Sequence, residues 1–312
     1  MGAEFGIYLP PVALGFDAIL AKALDCERLG YHSLWLYDHL YPPGLPEVPS
    51  FEAWTLATAL LARTTTLRVG HLVTSNTFRH PALLAKMATS VDVLSGGRLE
   101  FGIGSGSHEE EHRRAGLGWG SSAERGERLG EALEIITGMF RGATMSFDGK
   151  HFTVRDLPNL PAPAQPGGPP VHIGGVGPKY TLPLVARYAD VWNVPTYALG
   201  RIAGLSRALD AECEKAGRDP ATIRRSVEAV LTIAPEERLD EAVRRARRHY
   251  GDPGYGMEEG GFTGTPRRII DRIGELVEAG ISSFVFFTHD RASAETLELF
   301  ARDVAPHFSG PA

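Results

Sequence analysis

The chain has 312 residues, 43% hydrophobic and 22% charged, with a formal net charge of −6, enough for one large globular domain or two small ones. The acidic balance argues against a nucleic-acid binder, which needs surplus Lys and Arg on its binding face. No run of about 18 apolar residues offers a membrane span, and the N-terminus lacks a signal peptide's basic and apolar regions, so a cytoplasmic protein is expected.

In chain order, short β-rich runs alternate with longer helical ones. Strands are predicted at 5–9, 33–37, 67–73, 99–103, 171–173, 191–194, 225–233 and 283–287. Most are short and apolar, as strands buried on both faces of a parallel sheet should be. One intervening helix carries Leu129, Ala132, Leu133, Ile136, Met139 and Phe140, and another carries Ile269, Ile270, Ile273, Leu276 and Val277. Both show the spacing of a half-buried helix. Cys26 and Cys213 fall within amphipathic helical patterns, where a thiol serves as a small hydrophobe. The basic run 244–249 is expected to be a solvated helix face.

About eight βα units point to an α/β fold, a (β/α)8 TIM barrel forming a single domain over 1–312. The rhythm breaks at about 142–170, after the fourth βα unit, where 144–154 suggests a hairpin and 157–170 is crowded with proline. This insertion is expected to be an excursion of the same domain. In a barrel the residues following each strand converge on one mouth.

The most informative stretch is Val171-His-Ile-Gly-Gly-Val-Gly-Pro-Lys-Tyr180. A strand runs into glycines at 174, 175 and 177 and then into a helical pattern. Such a loop brings main-chain N–H groups and a helix start to bear on a phosphate, although it also suits a plain tight turn. Asp38-His39 follows the second strand, where a histidine near neutral pH exchanges protons and a carboxylate orients a ligand. A capping Asp beside a surface His is the alternative. His108-Glu-Glu-Glu-His112 has the letters of a zinc-protease motif, but glycines precede it, Arg113 and Arg114 follow, and no third ligand stands at a known spacing. No metal site is expected. His71 is either a mouth residue or a neutral core histidine. Trp35 and Trp192 are expected in the core, whereas Trp119 suits either a loop or a substrate entrance.

Several blocks together resemble the luciferase-like flavin and deazaflavin oxidoreductases. They are Ser33-Leu-Trp-Leu-Tyr-Asp-His39, Leu67-Arg-Val-Gly-His-Leu-Val-Thr-Ser75, Leu94-Ser-Gly-Gly-Arg-Leu-Glu-Phe-Gly-Ile-Gly-Ser-Gly106, Tyr188-Ala-Asp-Val-Trp-Asn193 and the glycine loop. Gly102-Ile-Gly-Ser-Gly106 with Glu111-His112 is most similar to members that use the deazaflavin F420. The resemblance implies a (β/α)8 barrel, hydride transfer at the deazaflavin C5 and a small-molecule substrate. It also implies a homodimer, with FMN and O2 as the alternative chemistry. His39 then matches a proton donor or acceptor. Asp38, Leu72, Val73, Ser75, Ser105, Gly106, Gly175, Val176, Gly177, Lys179 and Tyr180 match cofactor-binding positions, and the Leu72–Val73 bond matches a non-proline cis peptide behind the ring. One departure stands out: Ser107 occupies the place of a Glu that is catalytic in the sugar-phosphate dehydrogenases.

Overall fold

A computed structural model describes residues 2–142, 144–250 and 261–309. β1 (Glu4–Tyr8) leads into α1 (Phe16–Arg28), and β2 (Ser33–Leu36) into α2 (Ala53–Leu61). β3 (Arg68–His71) and the short β4 (Thr74–Ser75) precede α3 (Pro81–Leu94), and β5 (Leu99–Gly104) precedes α4 (Glu109–Ala115) and α5 (Ser122–Phe140). A hairpin of β6 (Met145–Asp148) and β7 (Thr153–Leu157) follows. Then β8 (Val171–Gly174) leads into α6 (Thr181–Tyr188), β9 (Val191–Val194) into α7 (Ile202–Ala216), and β10 (Arg224–Ile233) into α8 (Leu239–Tyr250). β11 (Phe262–Gly264) precedes α9 (Pro266–Glu278), and β12 (Ser283–Thr288) precedes α10 (Ala294–Asp303).

Eight strands close into a parallel barrel in the order β1, β2, β3, β5, β8, β9, β10, β12, with β12 pairing back onto β1. Their apolar alternation explains the closure. Ile7, Leu34, Val69, Phe101, Ile173, Trp192, Val227 and Phe286 face outward into one continuous core with the helices. Tyr8, Trp35, Tyr37, Leu72, Val230, Val285 and Phe287 form a second cluster inside the barrel. All eight predicted strands are present. The run 67–73 is broken where Leu72–Val73 is cis, and the chain resumes as β4 beside β5. β11, which extends the sheet beyond β10, has only three residues and was not predicted.

The N-terminal end of the barrel is closed by a polar layer. Glu100 is 2% exposed and takes a hydrogen bond from His172 Nε2 at 2.6 Å while pairing with the Arg68 guanidinium. Burial alone would raise its carboxyl, but His172, His32 and the Arg68 charge hold it well below the carboxylate range. Above this layer the Trp35 indole donates to Ser33 Oγ at 2.8 Å and crosses the axis. Gly70 leaves room for it: a Cβ there would lie 2.8 Å from the indole. The excursion is tied back by Glu131 of α5, whose carboxylate accepts the amides of Lys150, His151 and Phe152 at 2.8 to 3.0 Å. The predicted hairpin is therefore real but falls a few residues later than 144–154. Cys26 and Cys213 are buried, and burial pushes the Cys26 thiol up to about 12.

Candidate active site

The open end of the barrel carries the residues that follow the strands. His39, just past β2, points Nδ1 at Glu111 Oε2 across 2.8 Å. Glu111 is 2% exposed, and its other oxygen accepts the Leu40 amide. Burial works to raise this carboxyl, but His39 and the Leu40 and Tyr41 amides outweigh it and hold it below its ordinary value. A carboxylate only accepts, so His39 carries a hydrogen on Nδ1 and leaves Nε2 for exchange with a ligand. Tyr37 and His108 flank the ring edge-on at 5.1 and 5.0 Å. Burial and the neighbouring His39 push the His108 imidazole down, favouring its neutral form.

Asp38 sits beneath this pair, 4% exposed. Its carboxylate accepts the Ser75 amide at 2.9 Å and a two-pronged contact from Arg79 at 2.6 and 3.0 Å. It is neither a helix cap nor a free anion; it locks the end of β2 to β4. Arg79 continues to Glu52, which caps α2.

A relay runs beside these groups. His112 Nδ1 faces the His108 carbonyl at 2.7 Å and therefore bears the hydrogen, while Nε2 lies 2.5 Å from Thr77 Oγ1. With a neutral imidazole, Thr77 donates to His112 and Ser75 donates to Thr77 across 2.8 Å. Ser75 Oγ then offers only lone pairs to a ligand. Both nitrogens of His112 are committed, which leaves the second histidine of the zinc-like motif without a donor for metal. Adjacent α4 residues thus serve different strand ends: Glu111 reaches the loop after β2, and His112 reaches the loop after β4.

Val73, on the far side of the cis bond, projects against glycines. A Cβ on Gly104 would lie 2.6 Å from Val73 Cγ2, one on Gly174 3.2 Å from its Cγ1, and one on Gly102 1.9 Å from the His71 carbonyl. Three inward positions on β5 and β8 are therefore bare so that this segment can bulge into the lumen. Ser105 and Gly106 continue β5. Gly106 has φ +88°, and a Cβ there would meet Thr77 Oγ1 at 2.8 Å.

The glycine loop leaves β8 at the same end. Gly175 adopts φ +113°, and its amide and carbonyl are held by Asn193 and the Trp192 indole. Among the described residues the amides of Val176, Gly177, Lys179 and Tyr180 donate to no backbone carbonyl outside helices and strands. α6 begins immediately afterwards. The Tyr180 ring lies where a Cβ on Gly126 would be, 2.8 Å away, so the cup abuts the turn of α5 that carries Arg125 and Arg128. Arg125 stacks on Trp119 at 3.7 Å, and Trp119 in turn packs on His112. These groups suit an anion: open amides, a helix start and nearby cations adjoin the loop, and the Val73 bulge, seated on glycines, lies beside it.

His71 is fully buried and stacks on Trp54 at 4.5 Å on the helix side of the barrel, away from the mouth. Trp35 and Trp192 are core residues, at 2% and 0% exposure. Glu111 and Thr77 were not singled out for these roles from sequence. Helical spacing places Glu111 and His112 on adjacent faces of α4, but nothing in the sequence shows that they reach 71 to 72 and 35 positions back along the chain.

A parallel barrel with a histidine–carboxylate pair and a glycine loop of open amides at one mouth has the layout of a (β/α)8-barrel enzyme. A family model described as luciferase-like monooxygenase matches residues 3–283, and the chain belongs to that family. It is 30% identical over 233 residues to an F420-dependent hydroxymycolic acid dehydrogenase of Mycobacterium tuberculosis, a match covering 74% of this chain and 63% of the relative. It is 28% identical over 320 residues to an F420-dependent glucose-6-phosphate dehydrogenase of Rhodococcus erythropolis, covering 92% of each. In fold it resembles an F420-dependent secondary alcohol dehydrogenase in complex with an F420–acetone adduct, with a TM-score of 0.85 at 20% identity over 99% of this chain and 100% of that one. An EDTA monooxygenase from Chelativorans sp. BNC1 gives a TM-score of 0.84 at 17% identity, over 99% and 93%.

Proposed function

We propose that this protein is an F420-dependent oxidoreductase that moves a hydride between the deazaflavin and a small organic substrate. The observation that carries the reading is the convergence on one mouth of a glycine loop with open amides, a Val73 bulge seated on glycines and a histidine whose free nitrogen is fixed by a buried carboxylate. F420-dependent relatives over most of the chain support the choice of cofactor. When bound, the deazaflavin supplies a two-electron hydride donor or acceptor at its ring carbon C5.

The chain's own residues then have distinct tasks. The amides of Val176, Gly177, Lys179 and Tyr180, with Gly175 setting the turn, hold the phosphate. Leu72 and Val73 back the ring. Asp38, Ser75, Ser105 and Gly106 line its polar edge, where Ser75 accepts a hydrogen bond. His39 gives or takes the substrate proton at Nε2, and Glu111 keeps the ring in the orientation and tautomer that this requires. By the same resemblance we take the protein to be a homodimer, and its location to be the cytoplasm as the sequence leads us to expect. Among the described residues no helix is long and apolar enough to cross a membrane.

Equilibrium binding of oxidised F420 and of FMN, followed by fluorescence, tests the reading. Tight F420 binding with weak FMN binding is expected. The reverse preference would make the chain a flavin monooxygenase, and binding of neither would remove the cup from consideration.

A further inference from the structure

Glu228 stands on β10 with no role in the site described above. Side chains alternate along a strand, so Glu228 points the same way as Ser226 and Val230. Both face the lumen: Asn193 Nδ2 donates to Ser226 Oγ at 3.2 Å, and Val230 packs with Tyr8, Trp35, Val285 and Phe287. Glu228 is paired in register with Val285 of β12, and its main-chain carbonyl accepts the Thr196 hydroxyl at 2.9 Å. Its side chain is only partly accessible, and on the inward face of a closed barrel that surface opens onto the lumen. Among the described residues no hydrogen bond or counter-charge offsets its desolvation, and burial alone pushes the carboxyl up to about 7. Tyr197, just after β9, feels its charge: burial and then Glu228 raise the phenol above its ordinary value.

A partly accessible carboxyl that faces the lumen without a protein partner is open to a ligand. Apolar neighbours on both sides make ionisation costly, and a neutral carboxylic acid both donates and accepts a hydrogen bond. Such a group suits an uncharged oxygen function, and once ionised it repels an anion.

We propose that Glu228 is a substrate-contacting residue: resting on the hydride-transfer reading of this mouth, its carboxyl holds the hydroxyl or carbonyl oxygen of an uncharged alcohol or ketone. Among the described residues no counter-charge accompanies Glu228, so the proposed contact is with an uncharged group and not with a phosphate.

The test compares wild type with Glu228→Gln and Glu228→Leu. F420 affinity is measured by fluorescence, then F420 reduction with secondary alcohols of three to eight carbons and with glucose 6-phosphate, and reoxidation of reduced F420 with the matching ketones. Wild type should turn over a neutral substrate and not the sugar phosphate. Glu228→Gln should keep KM within about 3-fold, whereas Glu228→Leu should raise it by about 10-fold or more, the cost of one lost hydrogen bond, with F420 affinity unchanged. A wild-type KM in Glu228→Leu would overturn the proposal. So would turnover confined to glucose 6-phosphate, or F420 binding without turnover of any neutral substrate. A wild type that binds no F420 overturns the underlying reading, and the proposal with it.

Discussion

Replacing His39 by alanine removes the exchangeable nitrogen while leaving the glycine loop and the Val73 bulge intact. Proton transfer by a positioned side chain contributes about 10²–10⁴-fold, so turnover should fall by that range with F420 affinity unchanged; a variant at the wild-type rate would remove His39 from the chemistry. Glu111 acts through His39. Because its folded carboxyl lies below the ordinary value, its contribution to stability is present at neutral pH and fades as pH falls through the carboxylate range. Glu111→Gln should therefore lose less stability in acid than wild type, measured by urea unfolding at pH 4 and pH 7. Glu228 has the opposite sign. Its carboxyl is raised to about 7, so its ionisation opposes folding as pH climbs from the ordinary carboxylate value to neutrality. Glu228→Gln should match wild type near pH 4 and exceed it by up to about 3 kcal/mol above pH 7, measured by urea unfolding.

At the scale of elements, the strand ends do the positioning. The bare positions at Gly102, Gly104 and Gly174 follow from where Val73 projects, and they predict a graded series. Gly104→Ala would place a Cβ 2.6 Å from a Val73 methyl, a contact a side chain can partly relieve; about 1–3 kcal/mol of stability and about 10-fold in F420 affinity should be lost. Gly102→Ala meets a carbonyl oxygen at 1.9 Å and should be worse in both measurements. Equal, negligible effects would show that the Val73 bulge does not shape the cofactor site. The glycines were visible in the sequence and the strands around them were predicted, yet the reason for them was not: a glycine pattern does not say which side chain on another strand fills the space. The cis bond itself came only from family resemblance, because Leu72–Val73 carries no compositional mark. Helix α4 shows the other limit. Its letters allowed a zinc motif, and only the positions of Thr77, His39 and the His108 carbonyl show that the two side chains are hydrogen-bonding struts.

For the molecule as a whole, the barrel was legible because all eight of its strands are apolar enough to break the helical period, and the excursion was legible because proline and glycine crowd it. β11 was not, since three residues carry no period, and neither were pairings such as Glu100 with His172, 72 positions apart. That pair also sets the stability of the closed end. Glu100→Gln leaves Arg68 without its counter-charge and should cost about 3 kcal/mol in denaturant unfolding, with a single transition retained. Trp35 and the Glu100 layer together stopper the barrel at its N-terminal end, so it is a vessel with one opening. Cofactor and substrate must pass through the same door, and whichever lies deeper enters first and leaves last. Steady-state kinetics should accordingly show a compulsory order, with the product of the shallower ligand released before the other can dissociate.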